Sequence, residues 1–180
     1  TLFFVAGAIA WIATTPEGPP ADSESAARLV AGPYAVGKVD RDLIDKSRPT
    51  PASGDFAGAP ERKLATTIWF PIGADGSRPL VVYAHGYYSN RLGGVHLAKH
   101  LASYGYIVVA PDFPLSHLGA PGKPTHKDVV NQPGDVSFLI DRMLAMNSGN
   151  RPFKATVDPD RIGIAGLSLG GLTVTLTAFH

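Results

Sequence analysis

The sequence predicts an α/β fold, a doubly wound and mostly parallel sheet with an antiparallel N-terminal edge. Three observations carry this prediction. Pro79–Ala84, Tyr106–Ala110 and Arg161–Ala165 are short, largely apolar runs of the kind buried parallel strands show. Amphipathic helical stretches separate them, giving the order strand, helix, strand, helix, strand. Glycine, proline or aspartate turns close most of these elements.

From the N-terminus, Leu2 to Ala13 is apolar, and no charge precedes Glu17. That length suits a signal-peptide core of roughly 7–15 residues better than a bilayer span of about 20. Residues 1–15 are therefore read as a signal-peptide h-region or a membrane anchor, with export preferred. Residues 16–31, proline-rich over Pro16–Ala26, read as a linker. Tyr34–Ile44 and Lys63–Phe70 read as the two edge strands, with Trp69 in the core. Between them, Asp45–Glu61 holds Pro49, Pro51 and Pro60 and reads as an irregular surface loop. Leu92–Tyr104 places Val95, Ala98, Leu101 and Ala102 on one helix face, and Gly105 stops it. A long loop follows from Phe113 to about Val130. Val136, Leu139, Ile140, Met143 and Leu144 trace a second helix, begun at Asn131 with Pro133 and Asp135 suited to its first turn. Asp158-Pro159-Asp160 reads as the turn into the last strand.

That strand runs into Gly166-Leu167-Ser168-Leu169-Gly170, a G-x-S-x-G pentapeptide followed by the helical stretch Gly171–Leu176. Strand, sharp turn and helix is the setting in which this motif forms a nucleophile elbow. A serine at the tip of such a turn exposes its hydroxyl on a costly backbone. The positions two before and two after it must be nearly free of side chain, a need that Gly166 and Gly170 meet and to which Gly171 adds slack. Upstream, Pro79–Ala84 ends in His85-Gly86-Tyr87. His-Gly at that place often marks the loop supplying one oxyanion-hole amide, the other coming from the residue after the nucleophile. The expected donors are the backbone amides of Tyr87 and Leu169. Each motif alone is weak. Both together, in this order, are far less common by chance.

Arg161 to Gly171, together with Thr67-Ile68-Trp69-Phe70-Pro71, Ala84-His85-Gly86-Tyr87 and Ser103–Asp112, resembles bacterial α/β-hydrolases of the platelet-activating-factor acetylhydrolase and dienelactone hydrolase-like group. Cutinase-like polyester hydrolases share the plan. The resemblance covers roughly Gly32 to the C-terminus. It implies an α/β-hydrolase fold and serine hydrolysis of carboxylic esters, small or lipid-like, through an acyl-enzyme and without a cofactor.

In this fold the triad runs serine, acid, histidine along the chain. Only positions 169–180 follow Ser168, and His180 is the sole histidine among them. A helix rising 1.5 Å per residue would put it roughly 18 Å from the elbow, too far to act as base. Residues 32–180 are therefore expected to be the N-terminal part of the hydrolase domain, ending in the helix after the elbow. Thr1 in place of methionine suggests truncation at the other end too. A fragment so constituted is expected to hydrolyse esters negligibly and to expose a sticky sheet edge.

Sixteen Lys and Arg against fifteen Asp and Glu give a net charge of +1, with no clustered basic patch to support nucleic-acid binding. Zero cysteines exclude disulfides but do not identify a compartment. His96 and His100 have helical i, i+4 spacing, but Leu97 stands where a zincin motif needs Glu, so a solvated face is preferred to a metal site. Asp112 is read as a turn carboxylate. His117 and His126 lie in the long loop without an assigned role, and Tyr87 or Tyr88 could form a platform beside the acyl pocket. An amidase or peptidase on the same fold, and a non-catalytic binding module, are the competing readings.

Overall fold

The computed structural model describes residues 18–149 and 151–179. The apolar segment read as a signal or anchor lies outside the described residues. Among those described, no helix is long and apolar enough to cross a membrane. The chain divides into two compact units, Thr1–Val30 and Ala31–His180.

In the first unit, the stretch expected as a linker contains a short helix, α1 (Glu24–Leu29). Ser23 caps it, its hydroxyl oxygen accepting the Ala26 N–H at 3.1 Å, and Glu24 pairs with Arg28 one turn on. The proline signal that favoured a linker ends just before this cap.

The second unit is built on a five-stranded sheet in the order β1-β2-β4-β3-β5. The strands are β1 (Val36–Asp45), β2 (Arg62–Pro71), β3 (Ser77–Ala84), β4 (Ile107–Pro111) and β5 (Thr156–Gly166). β1 pairs antiparallel with β2, which pairs antiparallel with β4. β3 then pairs parallel with both β4 and β5. The helices are α2 (Val95–Ser103), α3 (Gln132–Ala145) and α4 (Leu169–Ala178).

Side chains alternate across the sheet, and each face is covered by its own helix. On one face Leu64, Ile68, Leu80, Val82, Ile107 and Val109 pack with Val136, Leu139 and Met143 of α3. On the other, Trp69, Tyr83, Val108 and Ala110 pack with Ala98 and Ala102 of α2. Trp69 is fully buried, as its place in an apolar run suggested.

Two sequence expectations need correction. Asp45–Glu61 is not irregular throughout: Thr50 and Ala59 form an antiparallel bridge with two 2.9 Å hydrogen bonds, and Ser53 bridges Phe56. The prolines flank these bridges, where they cost no ladder bond. Asp158-Pro159-Asp160 does not precede the strand but lies inside β5 as an irregularity, the register against β3 shifting between Arg78 and Leu80. Proline removes one donor there, and the chain loops out before pairing resumes.

β5 ends the sheet order, and no described strand pairs with its far side. Leu167, Leu172 and Phe179 stand exposed near that end.

A buried ionic cluster joins the strand layer to α3. The Arg62 guanidinium, 1% exposed, meets Asp135 at 2.6 Å and Asp128 at 2.9 Å, both carboxylates being fully buried. Arg48 reaches Asp135 at 2.7 Å from the other side and Asp45 at 2.7 Å. Burial disfavours the Arg62 charge, but the hydrogen bonds it donates to Asp135 and Asp128 outweigh it and hold its pKa above the ordinary arginine value. Removing one member leaves uncompensated buried charge. Arg62→Met should therefore cost about 3–5 kcal/mol of unfolding free energy in a denaturant titration. Arg161→Gln, which breaks the exposed pair with Asp158, should leave the midpoint nearly unchanged. Equal effects of the two substitutions would rule the cluster out as a dominant tie.

Candidate active site

β3 and β5 are parallel neighbours, with Tyr83 opposite Ala165 and Ala84 opposite Gly166. Their C-terminal ends therefore release His85-Gly86-Tyr87 and Leu167-Ser168-Leu169 side by side. The sequence places these segments far apart, and the sheet brings them together. A Cβ on Gly86 would lie 3.5 Å from Ser168 Cβ and 3.2 Å from the Leu167 carbonyl. Leu167 N–H donates to Ala84 O at 3.3 Å, fastening the elbow to the end of β3.

Ser168 has φ 55° and ψ −116°, a backbone that L-residues rarely adopt. It is exposed and caps α4 without a side-chain capping bond, which leaves its hydroxyl pointing to no protein partner among the described residues. The flanking glycines answer to contact distances. A Cβ at Gly166 would stand 2.3 Å from Gly170 O, and one at Gly170 would stand 2.0 Å from Ala84 O. Gly171 differs, since a Cβ there meets nothing closer than 3.8 Å. Strand and helix thus touch at two of the three glycines.

Among the described residues, the backbone N–H groups of Tyr87 and Leu169 donate to no other protein group, whereas Tyr88 N–H is taken by Ser116 O at 3.0 Å. The Tyr87 phenol donates to Pro124 O at 2.9 Å. Its ring, part exposed, meets Tyr88 and His126 edge-on at 6.0 and 6.2 Å.

His85 is almost completely buried and is committed at both nitrogens. Its Nε2 accepts the Phe113 N–H at 3.1 Å, so Nδ1 carries the proton and donates to Gly86 O at 2.8 Å. Burial pushes the His85 pKa down, against the opposing pull of the Gly86 hydrogen bond. This imidazole shapes the loop and is not available to a neighbouring serine. Asp112, at the end of β4, accepts the Arg91 N–H at 2.5 Å and pairs with the Arg91 guanidinium, which gives it the structural role expected of a turn carboxylate. His117 Nδ1 lies 2.9 Å from Phe113 O, and the His100 ring packs on Tyr104 at 5.1 Å. Among the described residues no group of three or more potential ligands is placed to hold a metal. A largely apolar cavity of about 380 Å³, lined by Phe56, Pro60, Pro114, His117 and Pro121, includes none of Ser168, Tyr87 and Leu169.

Sequence reasoning missed the polar residues beneath the site. Gln132, Ser116 and Thr173 are each fully buried, and the Gln132 amide bridges the two hydroxyls, with Nε2 at 2.9 Å from Ser116 Oγ. The signal was present in α3. Gln132 and Asp135 fall at helical spacing with Val136, Leu139 and Met143, hence on the buried stripe, where polar groups need partners.

The chain is similar to known proteins in sequence and in fold. The family model described as Chlorophyllase matches residues 49–179. A Bacillus subtilis (strain 168) protein named "Putative esterase YitV" is 29% identical over 104 residues, which are 56% of this chain and 40% of that protein. A solved ferulic acid esterase from Streptomyces cinnamoneus superposes with a TM-score of 0.63 at 24% identity, over 81% of this chain and 56% of its own. The chain therefore spans about half the length of these relatives. Its fold is that of an α/β-hydrolase.

Two outcomes follow. Gly170→Ala should lower the unfolding midpoint, whereas Gly171→Ala should hold or raise it, since alanine is the better helix former by up to about 1 kcal/mol. Thermal unfolding of both variants decides this, and a tolerated Gly170→Ala would contradict the contact. The second concerns pH. Because the folded state resists protonating His85, the unfolded chain binds protons more readily below its own histidine pKa of about 6.5. This contribution is complete above that value and is lost as the pH falls below it. The melting temperature should therefore drop between about pH 7.5 and about pH 5.5, and His85→Gln should flatten that drop. An equally steep drop in the variant would remove His85 as its source.

Proposed function

The chain belongs to the chlorophyllase family, and we propose that it carries the nucleophile of a serine hydrolase that cleaves carboxylic esters through an acyl-enzyme. The observation that carries this reading is the strained, exposed Ser168 with an uncommitted hydroxyl, beside two uncommitted amides at Tyr87 and Leu169. Its resemblance to acetylhydrolases and dienelactone hydrolase-like enzymes supports a small or lipid-like ester as substrate.

In this reading Ser168 Oγ attacks the ester carbonyl carbon and its proton passes to a general base. The carbonyl π pair becomes an oxyanion, which the Tyr87 and Leu169 N–H groups receive. Collapse of the tetrahedral adduct breaks the bond to the alcohol oxygen, which leaves with that proton. Water then attacks the acyl-serine by the same route and releases the acid. Among the described residues no histidine hydrogen-bonds Ser168, and His85 is held elsewhere. Leu2–Ala13 supports an exported or membrane-tethered protein; a reporter fused after residue 31 that stayed in the cytoplasm would count against it.

Ser168→Ala in the full-length protein should reduce p-nitrophenyl ester turnover by about 10⁴-fold or more with an unchanged melting temperature. Survival of more than a few per cent of turnover would overturn the serine assignment. Tyr87→Phe should be mild, because it removes only the exposed bond to Pro124 O and leaves the amide in place. A large loss there at full stability would make the phenol, and not the amide, the contributing group.

A further inference from the structure

Tyr87 and Leu169 belong to different segments, so their amides can serve one oxygen only if the segments are held in register. Three buried polar side chains span the gap. Tyr88, the residue after the first amide, has φ 61°, a left-handed backbone that a bulky residue keeps only when its surroundings impose it. The backbone carbonyl of Ser116 accepts the Tyr88 N–H at 3.0 Å and so fastens this residue to the Ser116 segment. The Ser116 hydroxyl meets the Gln132 side-chain amide at 2.9 Å. The oxygen of that amide accepts the Thr173 hydroxyl proton, which ties Gln132 to α4 one turn beyond Leu169, the residue carrying the second amide.

Ser116, Gln132 and Thr173 are all 0% exposed. Water cannot replace a lost partner there, so each bond of the bridge matters more than a surface bond would. Gln132 is also the first residue of α3, whose buried stripe is fixed against the sheet. The bridge is thus anchored to the rigid core and not to a loop.

We propose that Gln132 is a positioning residue, which acts through Ser116 and Thr173 to set the spacing of the two oxyanion amides. This rests on the reading of Tyr87 and Leu169 as oxyanion donors. Substrate contact is not part of the role, so its loss should weaken binding of the tetrahedral state and spare ground-state binding.

The test uses the full-length protein, with a fluorophosphonate to titrate reactive Ser168 and phenylboronic acid as a tetrahedral-adduct mimic. Gln132→Met and Thr173→Val should each lower kcat per titrated serine about 10–100-fold at nearly constant KM. Boronate affinity should fall in step. Thr173→Ser, which keeps the hydroxyl, should restore both. If neither isosteric variant folds, Ser116→Ala breaks the same bridge at its other end and carries the same readouts. A kcat per titrated serine equal to the parent's would overturn the positioning role, and so would a lost kcat with boronate affinity intact. Failure of the underlying reading is recognised separately, by absence of fluorophosphonate labelling at Ser168 or by turnover surviving Ser168→Ala.

Discussion

Helix α4 begins against the carbonyl that ends β3. With a Cβ on Gly170 only 2.0 Å from Ala84 O, backbone meets backbone there and no side chain intervenes. This approach sets the turn between β5 and α4. A turn that tight puts Ser168 at φ 55° and turns its side chain out of the sheet. It also lays the first amides of α4 beside the loop leaving β3, because β3 and β5 are adjacent in the sheet. Two chain segments distant in sequence thereby share one small region at the C-terminal end of the strands, where α/β sheets commonly place their sites.

Rigidity behind that contact comes from charge as well as apolar packing. Arg62 on β2 and Asp135 on α3 are tied inside the layer between sheet and helix, with Asp128 and Arg48 completing the set. Replacing a whole buried ion cluster by apolar groups is often neutral, so its value is better described as specificity than as net stability. It ties α3 to β2 at the position observed. Since Gln132 lies one helical turn before Val136 on the same stripe, that placement also fixes where the site's polar underside sits.

The fold and the tight turn that carries Ser168 were legible because they depend on local rules. Strand runs such as Tyr106–Ala110, the stripe Val136–Met143 and the elbow glycines are each readable within a few residues. Gly166 and Gly170 could be justified from sterics alone, and the contact distances at both agree. What escaped was long-range polar pairing. Arg62 to Asp135 and Gln132 to Thr173 join residues separated by 73 and 41 positions, and nothing local announces a partner. Asp135 does lie in the first turn of α3, as its position suggests, but nothing local shows that its partners are Arg62 and Arg48. The β5 irregularity was missed for a related reason, since Asp-Pro-Asp has the same appearance before a strand as within one.

The backbone of Ser168 has a consequence for how such a site persists. Glycine occupies that conformation freely, while a residue with a Cβ gives up about 1–3 kcal/mol to hold it. At this one position a change to the smallest residue would relieve backbone strain and, under the proposed reading, remove the nucleophile in the same step. Most mutations that selection removes are those that unfold a protein. Under the proposed reading of Ser168, selection must also reject a substitution that relieves backbone strain, because it takes away the hydroxyl.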